Sequence, residues 1–206
     1  MRILITAGPT REYIDDVRFL SNASSGRMGY CLAEAARDAG HTVVLVTGPV
    51  LLEPPDNCEV HRIETTEELR NSCLALFPEC DGIIATAAVC DYRPPRRIPG
   101  KLTKTGAPIT IELGETSDVL AELGTIKQHR WIVGFALESQ DPRKNAMRKL
   151  RLKNCNYIAL NDTSAIGSET NLLEVLNPAG ETVESFAGPK REIAIRMMDW
   201  ISGTLP

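Results

Sequence analysis

The stretch from Arg2 to Tyr30, RILITAGPTREYIDDVRFLSNASSGRMGY, decides the fold because it joins a buried strand to a helix through a glycine-containing loop. RILIT is a short apolar run closed by Ala-Gly-Pro, which predicts a buried strand. From Gly26 to Ala39 the apolar residues recur at helical spacing, which predicts a helix that begins at the glycine. A strand, glycines and a helix in this order are typical of a nucleotide-binding turn. However, the usual G-x-G-x-x-G pattern is absent, and the loop between Gly8 and Gly26 is much longer than the tight turn of a dinucleotide-binding fold.

Strand-like and helix-like patterns alternate through most of the remaining chain. The runs HTVVLVTGP, CEVHRIE, DGIIATA, RWIVGFAL and NYIALND predict strands, and helical spacing recurs between them. Such alternation implies right-handed crossovers and parallel pairing. The sequence therefore predicts an α/β fold with a Rossmann-like, mostly parallel sheet and helices on both faces, in a single domain over residues 1–206.

Three later segments depart from this alternation. Residues from about 93 to 107 are rich in proline, glycine and positive side chains, which predicts a long loop or flap. The alternating segment APITIEL, residues 107–113, then predicts a strand, and Ser117 to Ile126 predicts a helix with Ser117 as its N-cap. Two strand patterns around Asn-Pro-Ala-Gly predict a β-hairpin at about residues 170–187.

Composition and charge narrow the classes of function. Apolar residues make up 43% of the chain and charged residues 24%, and the net charge of −4 implies no general polyanion binding. No apolar run is long enough to span a bilayer, aromatic residues are few at 5%, and the 3 histidines give no metal-ligand spacing. The 6 cysteines contain no C-x-x-C pair, which is typical of packed thiols in a reducing compartment. We therefore expect a cytoplasmic protein that binds neither membrane nor nucleic acid.

Polar residues follow the predicted parallel strands at the point where open α/β sheets bind ligands. These residues lie in four segments: the first runs from AGPT to SSGRMG, and the others are TAAVCDYR, GFALESQ and LNDTS. At the start of the first helix, Ser24, Ser25 and Gly26 would offer hydroxyls and backbone amides to a phosphate, although either serine could simply cap the helix. Asp91 could bind a base, a ribose or a metal, or it could cap a loop.

Positive side chains cluster in two further segments. Lys149 and Lys153 share one face of a helix predicted after Asp141, and the alternatives are an anion bound between them or a solvated helix face. Lys101 and Lys104 lie in the flap, where they are either phosphate ligands on a closing loop or ordinary exposed lysines.

Other nucleotide-binding machinery is missing from the sequence. There is no G-x-x-x-x-G-K-[ST] loop, and the second strand ends in VTGP without the acid that binds ribose in NAD enzymes. No tyrosine is followed by a lysine four positions later, as short-chain reductases require. An NAD(P)-dependent Rossmann-type reductase is therefore the weaker alternative, together with a non-catalytic nucleotide-sensing module.

Taken together, these motifs resemble phosphopantothenoylcysteine synthetase over nearly the whole chain. The resemblance is carried by ITAGPTRE-x-ID-x-VR-x-LSN-x-SSGRMG, AAVCDYR, GKLTK, GFALES, MRKLRLK and LND. It implies a ligase of coenzyme A biosynthesis that joins 4′-phosphopantothenate to L-cysteine, with Mg²⁺ as cofactor. Bacterial members of the family use CTP through an acyl-cytidylate, and eukaryotic members favour ATP.

The resemblance also implies partners. It implies a homodimer, with the late hairpin and APITIEL as candidate interface elements. Because nothing that would hold a flavin precedes Met1, we expect the free-standing form of the family and a possible separate phosphopantothenoylcysteine decarboxylase.

The resemblance further implies roles for individual residues. Asn22 would orient the activated acyl group for attack by cysteine, Arg18 would pair with the carboxylate or the intermediate, and Lys101 would close over the reaction with the flap. The long loop after the first strand would thus hold a second substrate. The residues expected to meet the nucleotide are Ser24, Ser25, Gly26, Ala87, Asp91, Lys101, Ser117, Asp118, Val119, Leu120, Phe135, Lys149 and Lys153, with Phe135 beside the cytosine.

Two positions depart from the bacterial pattern of the family. Thr103 stands in the lysine motif where another basic residue is expected, and SDVL at residues 117–120 replaces an N-P-D-like run. No metal ligand is expected from the protein apart from Asp91, because the nucleotide would carry Mg²⁺.

Overall fold

A computed structural model describes residues 1–161 and 167–206 of the chain. The strands are β1 (Arg2–Ala7), β2 (Arg11–Tyr13), β3 (Phe19–Ser21), β4 (Thr42–Thr47), β5 (Glu59–Arg62), β6 (Gly82–Ala85), β7 (Tyr92–Arg93), β8 (Gly114–Glu115), β9 (Trp131–Leu137), β10 (Tyr157–Asn161), β11 (Thr170–Leu176) and β12 (Thr182–Pro189). The helices are α1 (Arg27–Asp38), α2 (Thr66–Leu76), α3 (Val119–Ile126), α4 (Pro142–Leu152) and α5 (Lys190–Thr204), with a 3-10 turn at Phe77–Glu79.

The main sheet has eight strands in the order β12-β11-β10-β9-β6-β1-β4-β5. Its strands pair in parallel from β10 to β5 along this order. The hairpin β11–β12 extends the sheet at one edge by pairing antiparallel with β10. The predicted α/β fold, its mostly parallel sheet and the late hairpin are therefore confirmed.

Helices cover both faces of this sheet. Successive residues of a strand point to opposite sides, so Ile3 and Ile5 of β1 pack on the face of α1 and α5, and Leu4 packs on the face of α2, α3 and α4. The largest side chains of the two cores are Trp131 and Phe77, and both are buried. Among the described helices, none is long and apolar enough to cross a membrane.

The helix starts follow from local capping chemistry. At α2 the Thr65 hydroxyl accepts from the Glu68 N–H at 3.2 Å, and the Glu68 carboxylate accepts from the Thr65 N–H at 3.3 Å, which completes a capping box. At α3 the cap is Asp118, whose carboxylate accepts from the Ala121 N–H at 3.1 Å. The predicted N-cap at Ser117 is therefore wrong by one residue, because serine and aspartate are equally good caps and the pattern alone does not choose between them.

Residues 107–113 do not form the predicted strand, although their side chains alternate. Ile109 is 61% exposed, and the pairing that does form nearby joins the two-residue strands β7 and β8. A strand is stable only when it pairs and buries one face, and within residues 1–161 and 167–206 this segment forms no strand pair. The prediction of a strand at APITIEL is therefore wrong for the isolated chain.

The long loop after β1 folds back as a small hairpin, β2–β3, which the sequence did not predict. Thr10 fastens it to the loop after β6: its N–H donates to the Ala88 carbonyl at 3.2 Å, and its hydroxyl accepts from the Cys90 N–H at 2.9 Å. These bonds bring two of the polar segments together at the edge where the parallel strands end.

Candidate functional site

A cavity of about 880 Å³ runs along the edge of the sheet at which the parallel strands end. Its walls are the loops after β1, β6 and β9, the end of β10, and the starts of α3, β11 and α5. This volume is in the upper range of small-molecule sites. The residues expected at the site from the sequence line this cavity, except Arg18 and the flap lysines Lys101 and Lys104. Those that line it are Asn22, Ser24, Ser25, Gly26, Ala87, Asp91, Ser117, Asp118, Val119, Leu120, Phe135, Lys149 and Lys153.

The glycine turn before α1 presents backbone amides to this cavity. Gly26 is the N-cap with φ 74°, a left-handed conformation that favours glycine, and no side chain caps the helix. The Ser24 hydroxyl accepts from the Gly26 N–H at 3.3 Å, and the Ser25 hydroxyl is 3.5 Å from the Arg27 nitrogen. Because the first-turn amides of α1 have no strong partner in the described structure, this helix start is suited to an anion.

Asn22 lies where the loops after β1 and β6 meet. Its Nδ2 donates to the carbonyls of Ala88 at 3.0 Å and Val89 at 2.9 Å. Both N–H groups of the amide are thereby used, which fixes its orientation and leaves Oδ1 as the acceptor for a ligand.

The two helix lysines line the cavity, but each is already paired with a carboxylate. Lys149 Nζ lies 2.6 Å from Glu138 Oε1, and Lys153 Nζ lies 3.0 Å from Asp118 Oδ1. The positive charges four residues apart are therefore balanced within the chain, so no bound anion is needed to explain their spacing. An anionic ligand would have to share these lysines with their carboxylates.

Asp91 lines the cavity with an exposed carboxylate. Within residues 1–161 and 167–206, no cluster of three or more histidine, cysteine, aspartate or glutamate side chains could hold a metal ion. A Mg²⁺ ion bound through one carboxylate and the oxygens of a phosphate is compatible with this arrangement.

The structure does not bring Arg18 and Lys101 into the cavity. The Arg18 guanidinium forms an ion pair with Asp15 and donates to the Leu102 carbonyl at 3.1 Å. It lines a separate cavity of about 370 Å³ beneath the flap. Lys101 is exposed and follows Gly100, whose N–H donates to the Asp16 carboxylate at 2.7 Å. In the single chain both side chains thus belong to the anchor of the flap.

Asp15 is the centre of this anchor. Its fully buried carboxylate accepts from the N–H groups of Leu102 at 3.0 Å, Val17 at 2.8 Å and Arg18 at 2.7 Å. Burial by itself would raise the pKa of Asp15, but these bonds and the Arg18 guanidinium outweigh it and hold the pKa far below its ordinary value. The flap is therefore tied to the loop after β1 by a carboxylate that stays ionised at neutral pH.

Among the polar residues of the cavity, sequence reasoning missed Asn171 and Lys190 and named Asn161 only as part of the LNDTS segment. Asn161 ends β10, and it belongs to the LNDTS segment, of which residues 162–164 lie outside the described residues. Asn171 was missed because β11 runs antiparallel to β10, so its first residues lie at the edge where the parallel strands end. Lys190 reaches the same edge because it follows the end of β12, which runs antiparallel to β11. The predicted hairpin was the signal that could have found them.

Comparison with known proteins places this architecture in a family. The family model for the DNA/pantothenate metabolism flavoprotein C-terminal domain, DFP, matches residues 1–205. The coenzyme A biosynthesis bifunctional protein CoaBC of Bacillus subtilis (strain 168) is 38% identical over 205 residues, which are 97% of this chain and 50% of that protein. The chain thus spans about half the length of the curated relatives it matches.

Solved structures agree with this match. The C-terminal domain of a coenzyme A biosynthesis bifunctional protein CoaBC superposes with a TM-score of 0.81 at 38% identity, covering 98% of this chain and 94% of that one. A mutant of Cab2, in a complex with phosphopantothenate-cysteine, shares the fold at 16% identity with a TM-score of 0.80, covering 98% of this chain and 88% of that one. The resemblance to phosphopantothenoylcysteine synthetase is therefore confirmed, and the chain belongs to the DNA/pantothenate metabolism flavoprotein C-terminal domain family.

Proposed function

We propose that this chain is a ligase that joins 4′-phosphopantothenate to L-cysteine in coenzyme A biosynthesis, with CTP as the activating nucleotide and an acyl-cytidylate as the intermediate. The relatives named for coenzyme A biosynthesis and the Cab2 complex with phosphopantothenate-cysteine support this assignment. The observation that carries it is the one cavity in which Asn22, the glycine turn before α1 and the two lysine–carboxylate pairs meet.

The first half-reaction would activate the carboxylate, which is a poor electrophile. A carboxylate oxygen of 4′-phosphopantothenate attacks the α-phosphorus of CTP, and the bond to the bridging oxygen breaks, so that pyrophosphate leaves with the electron pair. The amides at the start of α1, together with Lys149 and Lys153, would offset the charge that gathers on the phosphates. Asp91 would hold Mg²⁺ against the nucleotide, and the bound ion would neutralise phosphate charge.

The second half-reaction would form the amide bond. The neutral amine of cysteine attacks the acyl carbon and releases a proton to the solvent, and CMP leaves with the electron pair of the broken anhydride bond. Asn22 suits this step because its two N–H groups are held by the Ala88 and Val89 carbonyls. Its Oδ1 would then orient the activated acyl group and the attacking amine.

We also propose that two copies of this chain complete the site. Val17, Phe19 and Ile109 are exposed apolar side chains around the flap, and residues 107–113 alternate without a strand partner in the described structure. A second copy would bury these side chains and offer the segment an edge. It would also bring Arg18 and Lys101, which lie outside the cavity of their own chain, next to reacting groups.

The dimer can be tested by sedimentation and activity together. Ile109→Asp should yield a monomer with little ligase activity, because a charge would be buried at the interface. Ile195→Asp, at an exposed position of α5, is the matched control and should remain a dimer. A monomeric wild-type protein with full activity would rule the dimer out.

The cellular setting follows from the same assignment. The product would keep its cysteine carboxylate, so a phosphopantothenoylcysteine decarboxylase must act next. We place the ligase in the cytoplasm and propose a phosphopantothenoylcysteine decarboxylase as a partner.

The function is tested by supplying each of the four nucleoside triphosphates with Mg²⁺, 4′-phosphopantothenate and cysteine. We expect pyrophosphate release that requires 4′-phosphopantothenate and is fastest with CTP, and a ligated product that also requires cysteine. CTP binding without pyrophosphate under any combination would indicate a nucleotide-sensing module. Protection from heat unfolding by NADPH and not by CTP would indicate a reductase. Faster release with ATP than with CTP would overturn the choice of nucleotide alone.

A further inference from the structure

Asn171 leaves a buried hydrogen-bond donor unused at one end of the cavity. Its side chain is only 7% exposed, and its Oδ1 accepts from the Leu172 N–H at 2.9 Å, which fixes the orientation of the amide. The remaining group, Nδ2, has no hydrogen-bond partner among the described residues. Burying an N–H group without a partner costs free energy, so such groups in native proteins call for an explanation. Since Asn171 lines the cavity, a ligand is the natural acceptor.

Two positive side chains line the same end of the cavity. Lys190 is only 8% exposed, and its Nζ donates to the Ser168 carbonyl at 2.5 Å. Arg27, the first residue of α1, forms an ion pair with Glu169. Burial, and then the nearby Arg27, lower the pKa of Lys190, so an anion placed between the two cations would relieve their repulsion.

A second unpartnered amide borders this end. Asn161 Oδ1 is buried without a hydrogen-bond partner in the described part of the chain, and a half-turn of its amide would present Nδ2 to an anion instead. The topology explains the grouping, because Asn161 at the end of β10 is paired with Leu173, two residues beyond Asn171. Lys190 begins α5 directly after β12.

The shape of the cavity fits a ligand that spans the sheet edge. Lys149 of α4 and Lys153, the C-cap of that helix, lie on one face of the sheet, whereas α1 and α5, with Arg27 and Lys190, lie on the other. Gly26 and its amides also line the cavity at the start of α1. A nucleotide with its base near Phe135 of β9 would therefore extend its phosphate chain past the end of β10 toward Asn171 of β11.

We infer that the recess formed by Asn171, Lys190 and Arg27 binds the β- and γ-phosphoryl groups of the nucleoside triphosphate, an inference that rests on the proposed function. In the first half-reaction these groups depart as pyrophosphate with the electron pair of the broken phosphorus–oxygen bond. The Asn171 N–H and the Lys190 ammonium donate to its oxygens, so they stabilise the leaving group.

Calorimetric titration with CTP, CMP and inorganic pyrophosphate separates this recess from the rest of the site. Asn171→Asp keeps the acceptor for the Leu172 N–H and replaces the inward donor by a negative charge. We expect it to weaken CTP and pyrophosphate binding by about 10- to 100-fold, the value of one hydrogen bond to a charged group, and CMP binding by less than about 2-fold. Asn71→Asp is the matched control, since Asn71 is exposed on α2 and away from the cavity, and it should bind all three ligands as the wild type does.

Lys190→Met provides a second, independent variant, with Lys144→Met on the exposed side of α4 as its control. If circular dichroism shows that Asn171→Asp does not fold, the same titrations with Lys190→Met test the recess in its place. Unchanged pyrophosphate and CTP affinity in a folded variant would overturn the inference, and so would a parallel loss of CMP affinity, which would indicate a purely structural role.

The proposed ligase function has a different refuting result from the recess inference: no nucleoside triphosphate would yield pyrophosphate in the ligase assay. The pyrophosphate titration still decides the anion recess in that case, because it compares wild type and variants without a nucleotide.

Discussion

Substituting Gly29 by alanine tests the packing that holds the start of α1 at the cavity. A Cβ at this position would lie 2.5 Å from the Ala7 Cβ and 2.5 Å from the Thr86 Oγ1. Neither neighbour retreats easily, because Ala7 is buried in β1 and the Thr86 hydroxyl donates to the Thr6 carbonyl at 2.5 Å. Carbon atoms pack best at about 3.5–4.0 Å, so α1 must move outward by roughly 1 Å. Overpacking of this kind costs about 1–3 kcal/mol, which lowers the melting temperature by about 2–4 °C per kcal/mol in a chain of this length.

The same displacement should weaken nucleotide binding, since Gly26 moves with the helix. We expect CTP affinity to fall by about 10-fold or more, because a shift of about 1 Å disturbs every contact that the turn makes. Urea unfolding measures the first effect and calorimetry the second.

Gly203→Ala in α5 is the matched control for Gly29→Ala. A Cβ there meets nothing within 4 Å, so this change should raise stability by up to about 1 kcal/mol through helix propensity. A Gly29→Ala protein with wild-type unfolding midpoint and wild-type CTP affinity would refute the reasoning.

Three further perturbations probe the cap, the flap anchor and the flap. Asp118→Ala removes the hydrogen bond from the Ala121 N–H, and it should lower the free energy of unfolding in urea by about 1 kcal/mol. CTP affinity should rise because Lys153 loses its carboxylate partner, and a lower affinity would contradict this. Asp15 has a depressed pKa in the folded state, so it stabilises the fold above the unfolded carboxyl pKa of about 3.9, and this contribution is lost as the pH falls below that value. The urea concentration at the unfolding midpoint should therefore drop between pH 5 and pH 2, about the range of this titration. The drop should be steeper in the wild type than in Asp15→Asn, and an equal dependence on pH in both proteins would count against the anchor. Lys101→Gln should slow pyrophosphate release and leave CMP affinity unchanged, whereas an unchanged rate would remove Lys101 from the site.

The sequence correctly predicted the strands whose apolar side chains are buried in the core. RILIT, TVVLVT and WIVGFAL are continuous apolar runs, and such runs suit strands that helices cover on both faces. Residues 107–113 show the limit of this argument, because alternation reports a strand only where an edge is available for pairing. The sequence of one chain does not state whether that edge exists.

The candidate site was predictable where it depended on the ends of parallel strands. Asn22, Asp91 and Lys149 reach one cavity because their segments leave the same edge of the sheet. Asn171 and Lys190 depend on the direction of β11, which becomes visible only once the hairpin is placed in the sheet. The position of Arg18 depends on Asp15, and an ion pair between near neighbours cannot be told from a substrate contact by spacing alone.

In the proposed function, one sheet edge both activates the acyl group and presents it to cysteine. Rapid-quench mass spectrometry of Asn22→Asp, with CTP, Mg²⁺, 4′-phosphopantothenate and cysteine, tests it most directly. We expect one burst of pyrophosphate and an acyl-cytidylate that persists in an amount comparable to the enzyme. Steady release of the ligated product at the wild-type rate, with no accumulated intermediate, would contradict it.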